Sequence, residues 1–199
     1  MEERESSRLR GILRWTAFVG ALLVVRASFA DHYTVPSGSM EPSVMTGDRL
    51  VVNKAAYGLR LPFTNTYVVR RDAPRRGDVV VLDAPDTGDV LLKRVAAVPG
   101  DTVSVRGGHI TVDGAAAPVE RNGGRLVERL DGRSHEVRLT SGGGPAFGPI
   151  TLPPDLFLLL GDNRGDSRDG RSFGLVERSA ILGRAIGVYY RDGFTWEEL

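Results

Sequence analysis

Short strand-like runs separated by turns rich in glycine and proline dominate most of this chain. Three apolar runs, at 48–53, 78–82 and 90–98, have the length and composition of β-strands. The pair Gly107-Gly108 lies between two further runs, an arrangement typical of a hairpin. Helical periodicity is scarce over the same part of the chain. With 25 Gly and 11 Pro among 199 residues, the sequence predicts a mainly β fold.

The predicted β fold divides into a core and an insertion. Residues 107–149 are rich in glycine and charge and carry only weak strand signals, which indicates a small inserted β subdomain. The flanking parts, 31–106 and 150–199, carry the strong strands and are predicted to form one β-rich core. A length of 199 residues suits a single domain with such an elaboration.

Composition excludes several kinds of site. The chain has no cysteine, so it has no disulfide, no thiolate zinc site and no cysteine nucleophile. Its 26 basic and 25 acidic residues leave a formal net charge of +1. Because no strong positive field results, we expect no nucleic-acid partner.

An apolar segment at 11–30 is predicted to be a single transmembrane helix. Its uncharged part, 15–25, lies between Arg14 and Arg26. A span of roughly 20 residues therefore requires both arginines to reach toward the headgroups. Further arginines precede the segment, so residues 1–10 are predicted to be cytoplasmic and the rest of the chain to lie outside.

The same segment also fits a cleavable signal peptide. A basic start, an apolar centre and small residues ending at Ala30 are the features of such a peptide. Cleavage there would leave Ser39 close to a frayed new terminus, a poor place for a fixed nucleophile. We therefore favour the retained anchor, and either interpretation exports the following domain.

Ser39 is the candidate nucleophile. It lies in a Pro-Ser-Gly-Ser-Met-Glu-Pro-Ser segment at 36–43. A serine hydroxyl attacks a carbonyl only when a nearby group removes its proton. A Ser-Gly-Ser sequence alone more often only reverses the chain, so Ser39 needs a base elsewhere in the sequence.

Lys93 is the candidate base. The two-residue period of a strand places Leu91, Lys93 and Val95 on one face. A lysine between apolar neighbours on a core-facing surface is desolvated, which lowers its pKa and favours the neutral amine. The opposite orientation, with Lys93 in solvent on an edge strand, stays open at this point.

The three histidines are the alternative bases. His109 and His135 lie in hairpin-like surroundings and are predicted to be solvated, and His32 lies beside the predicted membrane segment. No Asp or Glu nearby in sequence is placed to orient any of them. A Ser-His-Asp triad can still assemble from distant positions, so it stays an alternative.

A polar loop at 160–174 follows an apolar strand and is the third candidate element. Its carboxylates and arginines can form bidentate pairs that make the loop rigid. A calcium site is a weaker interpretation, because the EF-hand spacing is missing and three arginines would repel the ion. We therefore expect a rigid loop that delivers a hydroxyl to the candidate site.

These segments together resemble those of one enzyme family. They run in the order Pro36-Ser37-Gly38-Ser39-Met40-x-Pro42, Gly47-Asp48, Arg76-Gly77-Asp78-Val79, Lys93-Arg94-Val95 with Pro99-Gly100-Asp101, and Gly161-Asp162-Asn163-Arg164 up to Phe173-Gly174. In this order they resemble the bacterial type I signal peptidases, which use a Ser-Lys dyad. The resemblance extends from the apolar segment to about Tyr190, and it implies a signal-peptidase-like β catalytic core.

The resemblance implies a role for each candidate residue. Ser39 is the expected nucleophile and Lys93 the expected general base. Ser37 matches the residue whose hydroxyl joins the Ser39 N–H in the oxyanion hole, and Ser167 matches the serine that orients the lysine. The residues implied as loop scaffold are Asp162, Arg164, Asp169 and Arg171. We expect no cofactor and no metal.

The resemblance also implies an activity and its partners. We expect a membrane-bound, single-pass serine endopeptidase with its catalytic domain on the outer face of the cell membrane. Its partners would be exported preproteins, cut after small-x-small motifs through an acyl-enzyme, and the lipid bilayer. We expect a monomer with an exposed apolar surface near Met40 that dips into the headgroups.

The chain departs from the family pattern at two positions. Gly170 stands where the family usually has Ser, and Ser43 stands where Thr is usual. Neither belongs to the expected dyad, so we expect altered local rigidity or substrate preference. Two other functions stay open: a self-cleaving Ser-Lys regulator, which would need a DNA-binding domain, and a non-catalytic β-rich module on a membrane stalk.

Overall fold

The structure, a computed structural model, describes residues 14–16, 18–19, 30–60 and 67–199. The predicted cytoplasmic segment at 1–10 and most of the predicted anchor at 11–30 lie outside the described residues. Within them, no helix is long and apolar enough to cross a bilayer. Ala30, predicted as the last residue of the anchor, instead begins a β-strand and pairs with Asn53.

Strands account for most of the elements in the described part of the chain. They are β1 (Ala30–Thr34), β2 (Arg49–Asn53), β3 (Gly58–Arg60), β4 (Tyr67–Arg70), β5 (Val79–Asp83), β6 (Val90–Ala97), β7 (Thr102–Arg106), β8 (His109–Val112), β9 (Ala115–Ala116), β10 (Val119–Asn122), β11 (Arg125–Leu130), β12 (Arg133–Val137), β13 (Phe147–Thr151), β14 (Leu156–Leu160), β15 (Val176–Glu177), β16 (Ile181–Tyr190) and β17 (Phe194–Glu198). Residues 14–16 and 18–19 are helical. In 30–60 and 67–199 the helical elements are 3₁₀ turns at Gly38–Met40, Thr140–Gly143 and Arg178–Ala180 and one α-helical turn, α1 (Gly170–Phe173). The prediction of a mainly β fold is confirmed.

An antiparallel sheet carries the core. Its strand order in the described residues is β1-β2-β16-β5-β6-β14-β15, and β17 pairs with β16. Smaller sheets follow the orders β13-β7-β8-β9, β10-β11-β12 and β3-β4. The β10-β11-β12 sheet lies within 107–149, whereas β7 and β13 pair with each other across the boundaries of that range. The division into a core and an inserted subdomain stays a prediction.

The main sheet buries apolar side chains on both faces, as the alternation along β5 shows. Val79 and Val81 belong to one core cluster, and Val80 and Leu82 belong to another. We call the first cluster the Met40 cluster, because Met40 is fully buried in it. The second is the Phe157 cluster. Because alternate residues of a strand point to opposite faces, these clusters lie on opposite sides of the sheet.

Strand β6 is paired differently along its two edges. Along one edge it pairs with β5 from Val90 to Arg94. Along the other it pairs with β14 only from Arg94 onward, where Arg94 lies opposite Leu160. Within the described residues the stretch Val90–Lys93 therefore has one edge without a strand partner. We call this stretch the open edge of β6, and the loop that follows Leu160 begins beside it.

Candidate active site

Ser39 lies in a short 3₁₀ turn that is fixed from behind. The next residue, Met40, is fully buried among Val35 and Val44. The expectation of an exposed apolar surface near Met40 is therefore wrong, because this side chain fills the core instead of facing outward. Its burial leaves Ser39 itself half-buried at the surface, where a hydroxyl can meet a substrate.

Lys93 contacts the Ser39 hydroxyl directly. The distance from Lys93 Nζ to Ser39 Oγ is 2.7 Å, and Nζ also lies 2.8 Å from the carbonyl oxygen of Leu92. Lys93 is 2% exposed. Its strand neighbours Leu91 and Val95 both pack in the Phe157 cluster. The prediction that Lys93 lies on a buried strand face is confirmed.

Burial lowers the pKa of Lys93 to about 8, against the raising effect of the Asp169 and Asp162 charges. The positive charge of Arg168 lowers this pKa further. A substantial neutral fraction therefore exists close to neutral pH. A neutral amine at hydrogen-bond distance from a serine hydroxyl can accept its proton, which is the requirement for a nucleophile and its base.

Ser37 is the other hydroxyl beside Ser39. The two Oγ atoms are 3.4 Å apart, and Ser37 is exposed. Although Ser37 is the N-cap residue of the 3₁₀ turn, its side chain makes no capping hydrogen bond. Its hydroxyl is therefore available for another acceptor at the site.

The side chain of Ser167 lies in the same region, beside Gly161. Its Oγ is buried and has no partner in the described part of the chain. A Cβ atom on Gly161 would lie 2.2 Å from Ser167 Oγ and 2.4 Å from the carbonyl oxygen of Ser39. The expected hydrogen bond between Ser167 and Lys93 is thus absent from the described residues. Glycine at position 161 permits this close packing.

Asn163 connects the loop to the serine turn by hydrogen bonds. Its backbone N–H donates to the Ser39 carbonyl at 3.1 Å. Its side-chain amide donates to the Gly38 carbonyl at 3.2 Å and accepts from Thr140 Oγ1 at 2.8 Å. Sequence reasoning gave Asn163 no role, although it lies within the motif that carried the resemblance.

Asp162 forms a buried bidentate pair with Arg94, the residue after Lys93. The two hydrogen bonds measure 2.9 and 2.7 Å, and Arg94 also donates to the carbonyl of Gly77 at 2.8 Å. Burial would raise the pKa of Asp162, but the charge and hydrogen bonds of Arg94 outweigh it and hold this pKa low. The pair fixes the loop against β6.

Asp169 and Arg171 form a second buried pair within the loop. Asp169 accepts from the guanidinium of Arg171 at 2.8 and 2.7 Å and from the backbone N–H of Gly161 at 3.0 Å. Arg171 also donates to the carbonyls of Gly143 and Arg164, each at 2.6 Å. These contacts close the loop on itself.

Arg164 joins the loop to β11 through Glu128. Arg164 Nη1 donates to Glu128 Oε1 at 3.0 Å, and Nη2 donates to Oε2. Both side chains are almost completely buried. Sequence reasoning missed Glu128, although it lies between Leu126 and Leu130 on one strand face, the same signal that identified Lys93.

His135 corrects one prediction. Its side chain is 4% exposed rather than solvated, and its Nε2 lies 3.2 Å from Glu128 Oε2. It is buried because β12 packs this face against the loop carrying Arg164 and Asp162. Burial lowers the pKa of His135 despite the opposing effect of Glu128. His109 is exposed as predicted, and His32 is exposed as well.

The two departures from the family pattern occupy different surroundings. Gly170 packs directly on β14, where a Cβ atom would lie 2.8 Å from Leu158 Cδ1 and 2.9 Å from the carbonyl oxygen of Leu159. Ser43 donates from Oγ to the carbonyl of Glu136 at 3.2 Å. Both residues therefore contribute to packing around the serine turn and the loop.

Comparison with known proteins gives a consistent result. A family model described as signal peptidase, peptidase S26, matches residues 8–190. Signal peptidase I of Leptolyngbya laminosa is 32% identical over 190 residues, which cover 92% of this chain and 79% of that protein. Signal peptidase I of Pseudomonas fluorescens is 31% identical over 200 residues, covering 89% of this chain and 69% of that protein.

A shorter relative is matched over nearly its whole length. Signal peptidase I P of Bacillus subtilis subsp. natto is 30% identical over 196 residues, which cover 96% of this chain and 95% of that protein. The similarity therefore extends through the serine turn, β6 and the polar loop rather than resting on one motif. The chain belongs to the signal peptidase family, peptidase S26, and is a hydrolase of that family.

Proposed function

We propose that this chain removes signal peptides from exported preproteins, with Ser39 as nucleophile and Lys93 as general base. The observation that carries the proposal is the 2.7 Å distance between Ser39 Oγ and the buried Lys93 Nζ. Within the described residues, the only hydroxyl or amine groups in hydrogen-bond contact with Ser39 Oγ are those of Lys93 and Ser37. No imidazole takes that place, which favours the dyad over a triad.

Acylation follows from this contact. The neutral amine of Lys93 takes the Ser39 proton as Oγ attacks the scissile carbonyl carbon. The tetrahedral intermediate collapses with cleavage of the C–N bond. The Lys93 ammonium gives its proton to the departing amine, which is the new N-terminus of the mature protein. The signal peptide is left as an ester on Ser39.

Deacylation uses the same amine. Neutral Lys93 removes a proton from water, and the resulting hydroxide attacks the ester carbonyl. The bond to Ser39 Oγ breaks, Oγ takes the proton back from Lys93, and the signal peptide leaves with a free carboxylate. We assign the Ser37 hydroxyl and the Ser39 N–H to the oxyanion formed in both steps, since Ser37 Oγ lies 3.4 Å from Ser39 Oγ.

The open edge of β6 offers a place for the substrate backbone. In the described residues its backbone has no strand partner from Val90 to Lys93 along this edge. An extended peptide can add to such an edge by main-chain hydrogen bonding. A signal-peptide end with small side chains at alternate positions would then reach Ser39 in an extended form, as a small-x-small motif requires.

We further propose that the apolar segment before β1, residues 11–29, anchors the enzyme in the cell membrane, with the β-rich domain on the outer face. The apolar composition of that segment and the preceding arginines support this arrangement. Cleavage sites of exported preproteins lie close to the membrane surface, so an anchor would hold the dyad near its substrate. We expect the enzyme to act as a monomer.

Cleavage of a preprotein with an Ala-x-Ala site by the detergent-solubilised full chain tests the proposal. Ser39→Ala should abolish cleavage, and Lys93→Met should do the same. Ser172→Ala, an exposed serine of the same loop, should cleave like the wild type. Equal cleavage by wild type and Ser39→Ala would refute the nucleophile, and an inactive wild type would favour a binding module.

A further inference from the structure

Arg168, the residue after Ser167, reaches across to the turn between β5 and β6. Its Nη1 atom donates to both carboxylate oxygens of Asp86, at 2.9 and 2.8 Å. Its Nη2 atom donates to Thr87 Oγ1 at 3.1 Å and to Asp89 Oδ2 at 3.2 Å. One guanidinium thus binds three residues of a single turn.

This turn leads directly into the open edge of β6. Asp89 precedes Val90, the first residue of the strand, and Lys93 lies on the same open stretch. The loop carrying Arg168 begins after Leu160, which pairs with Arg94 at the other end of that stretch. The loop is therefore attached to β6 on both sides of the open edge, by a strand pairing at one end and by Arg168 at the other.

We propose that Arg168 is a positioning residue, which holds the open edge of β6 in place beside Ser39 for the substrate backbone. The proposal rests on the proposed function and adds a determinant of substrate binding to it. Without Arg168, the β5–β6 turn keeps its pairing within the hairpin but loses its attachment to the loop. The open edge of β6 can then move away from the loop. An extended substrate would no longer find the edge in a fixed position for main-chain hydrogen bonding.

The charge of Arg168 also acts on Lys93. The charged groups that face Lys93 are Asp169 and Asp162, which raise its pKa, and Arg168, which lowers it. Loss of Arg168 removes the positive charge that counteracts the effect of the two carboxylates on Lys93. The pKa of Lys93 should then rise, so that its neutral amine appears only at higher pH.

A purely structural role would have different consequences. The side chains of Arg168, Asp86 and Asp89 are 40%, 45% and 64% exposed. Ion pairs this exposed contribute little to stability. A structural role therefore predicts a small change in melting temperature with unchanged KM and pH profile, whereas a positioning role predicts changed kinetics in a folded enzyme.

The test compares kcat, KM and the pH dependence of kcat/KM for the full chain in detergent, with an Ala-x-Ala preprotein. Arg168→Ala should raise KM about fivefold, within the range expected for an exposed charged network, and should move the acid limb of kcat/KM to higher pH. Arg168→Lys keeps the charge but loses the fork of hydrogen bonds. It should raise KM and leave the acid limb in place.

Two further variants separate the contacts from the charge. The double variant Asp86→Asn with Asp89→Asn should raise KM without moving the acid limb to higher pH. Arg125→Ala removes an exposed arginine paired with Glu136 at 2.8 Å, far along the chain on β11. This variant should have the KM and the acid limb of the wild type. Melting temperatures show whether each variant is folded.

An unchanged KM in Arg168→Ala overturns the proposal, and so does an unchanged acid limb. An equal rise of KM in Arg125→Ala also overturns it, because the effect would then follow from any lost surface charge. Failure of the proposed function is distinguishable from these results. In that case the wild type would show no Ser39-dependent cleavage at all.

Discussion

At the scale of single residues, opposing effects determine the pKa of Lys93. Burial disfavours its charged form, while Asp162 and Asp169 favour it, and the resulting pKa is about 8. At pH 7 about a tenth of the molecules then carry a neutral Lys93 amine. Cleavage should therefore rise with pH through this range as the neutral fraction increases.

Replacement of Lys93 by Met should stabilise the protein while abolishing cleavage. The pKa of Lys93 is lowered from 10.5 to about 8, so its burial costs up to about 3 kcal/mol below pH 8. The cost diminishes as pH rises above 8, and it disappears above pH 10.5, where Lys93 is neutral in both the folded and the unfolded state. Unfolding in urea should therefore show a larger advantage for Lys93→Met at about pH 7 than at about pH 9.5.

A destabilised Lys93→Met variant would contradict this account of the buried amine. The variant keeps a similar volume without the charge, so a loss of stability would mean that Lys93 contributes favourable contacts in its charged form. Retained cleavage would contradict the assignment of Lys93 as the base.

Removal of the Ser37 hydroxyl should affect turnover more than binding. If Ser37 donates to the oxyanion, Ser37→Ala should lower kcat about 100-fold with little change in KM. Because Ser37 is exposed and its side chain caps nothing, the melting temperature should stay near that of the wild type. A parallel fall in kcat and melting temperature would instead indicate a structural hydroxyl.

At the scale of elements, strand periodicity explains which parts could be predicted from the sequence. The alternation around Lys93 identified a buried strand face, and the same alternation around Glu128 would have identified a second buried charge. The partner of that charge, Arg164, could not be found this way. The pair forms only when β11 packs against a loop 36 residues away, and spacing along the chain carries no signal of that contact.

Other features could not be predicted because their local sequence patterns are weak. Strand β1 was missed because it begins at Ala30, inside the apolar segment read as an anchor, and continues through polar residues. His135 was predicted to be solvated because it lies in hairpin-like surroundings in the sequence, yet its side chain is buried on β12. The main strands could be predicted from their apolar runs. Ser39 and Lys93 could be predicted as partners from the order of the motifs.

Glu128→Gln should destabilise the protein strongly. The change leaves the buried guanidinium of Arg164 without its carboxylate, which typically costs about 3–5 kcal/mol. Glu136→Gln on the neighbouring strand removes a carboxylate that pairs with the exposed Arg125, and it should cost less than about 1 kcal/mol. Urea unfolding of both variants measures the difference, and similar midpoints would contradict it.

Gly170→Ser introduces the residue that the family usually has at this position. We nevertheless expect this variant to destabilise the loop. A Cβ atom at this position lies 2.9 Å from the carbonyl oxygen of Leu159, so either the helical turn or β14 has to shift. We expect a loss of about 1–3 kcal/mol, measured by thermal unfolding against Ser172→Ala in the same turn. A Gly170→Ser variant as stable as wild type would show that the loop can move freely at this point.

At the scale of the whole molecule, an exposed aromatic face marks the C-terminal strand. Phe194 and Trp196 are 93% and 58% exposed and lie two residues apart on β17, so they share one face. Aromatic side chains exposed together are typical of surfaces that meet lipid or protein. This face replaces the region near Met40 as the candidate lipid contact.

Serine at both aromatic positions should weaken binding to phospholipid vesicles. The double variant Phe194→Ser with Trp196→Ser loses apolar area that would insert between headgroups. Thr195→Ser, on the other face of β17, serves as the matched control. Cosedimentation with vesicles measures bound protein, and equal binding of both variants would exclude this face as the contact.

The position of the proposed dyad has a consequence for its sensitivity to small movements of the sheet. Ser39 is fixed through Met40 to the cluster on one face of the main sheet, whereas Lys93 lies among residues of the cluster on the other face. Their 2.7 Å contact therefore bridges two layers of packing. A small slip of one layer against the other would separate the two atoms long before either layer lost its own order. Cleavage activity therefore depends on the alignment of the two layers. It should be lost under mildly denaturing conditions in which the strands are still intact.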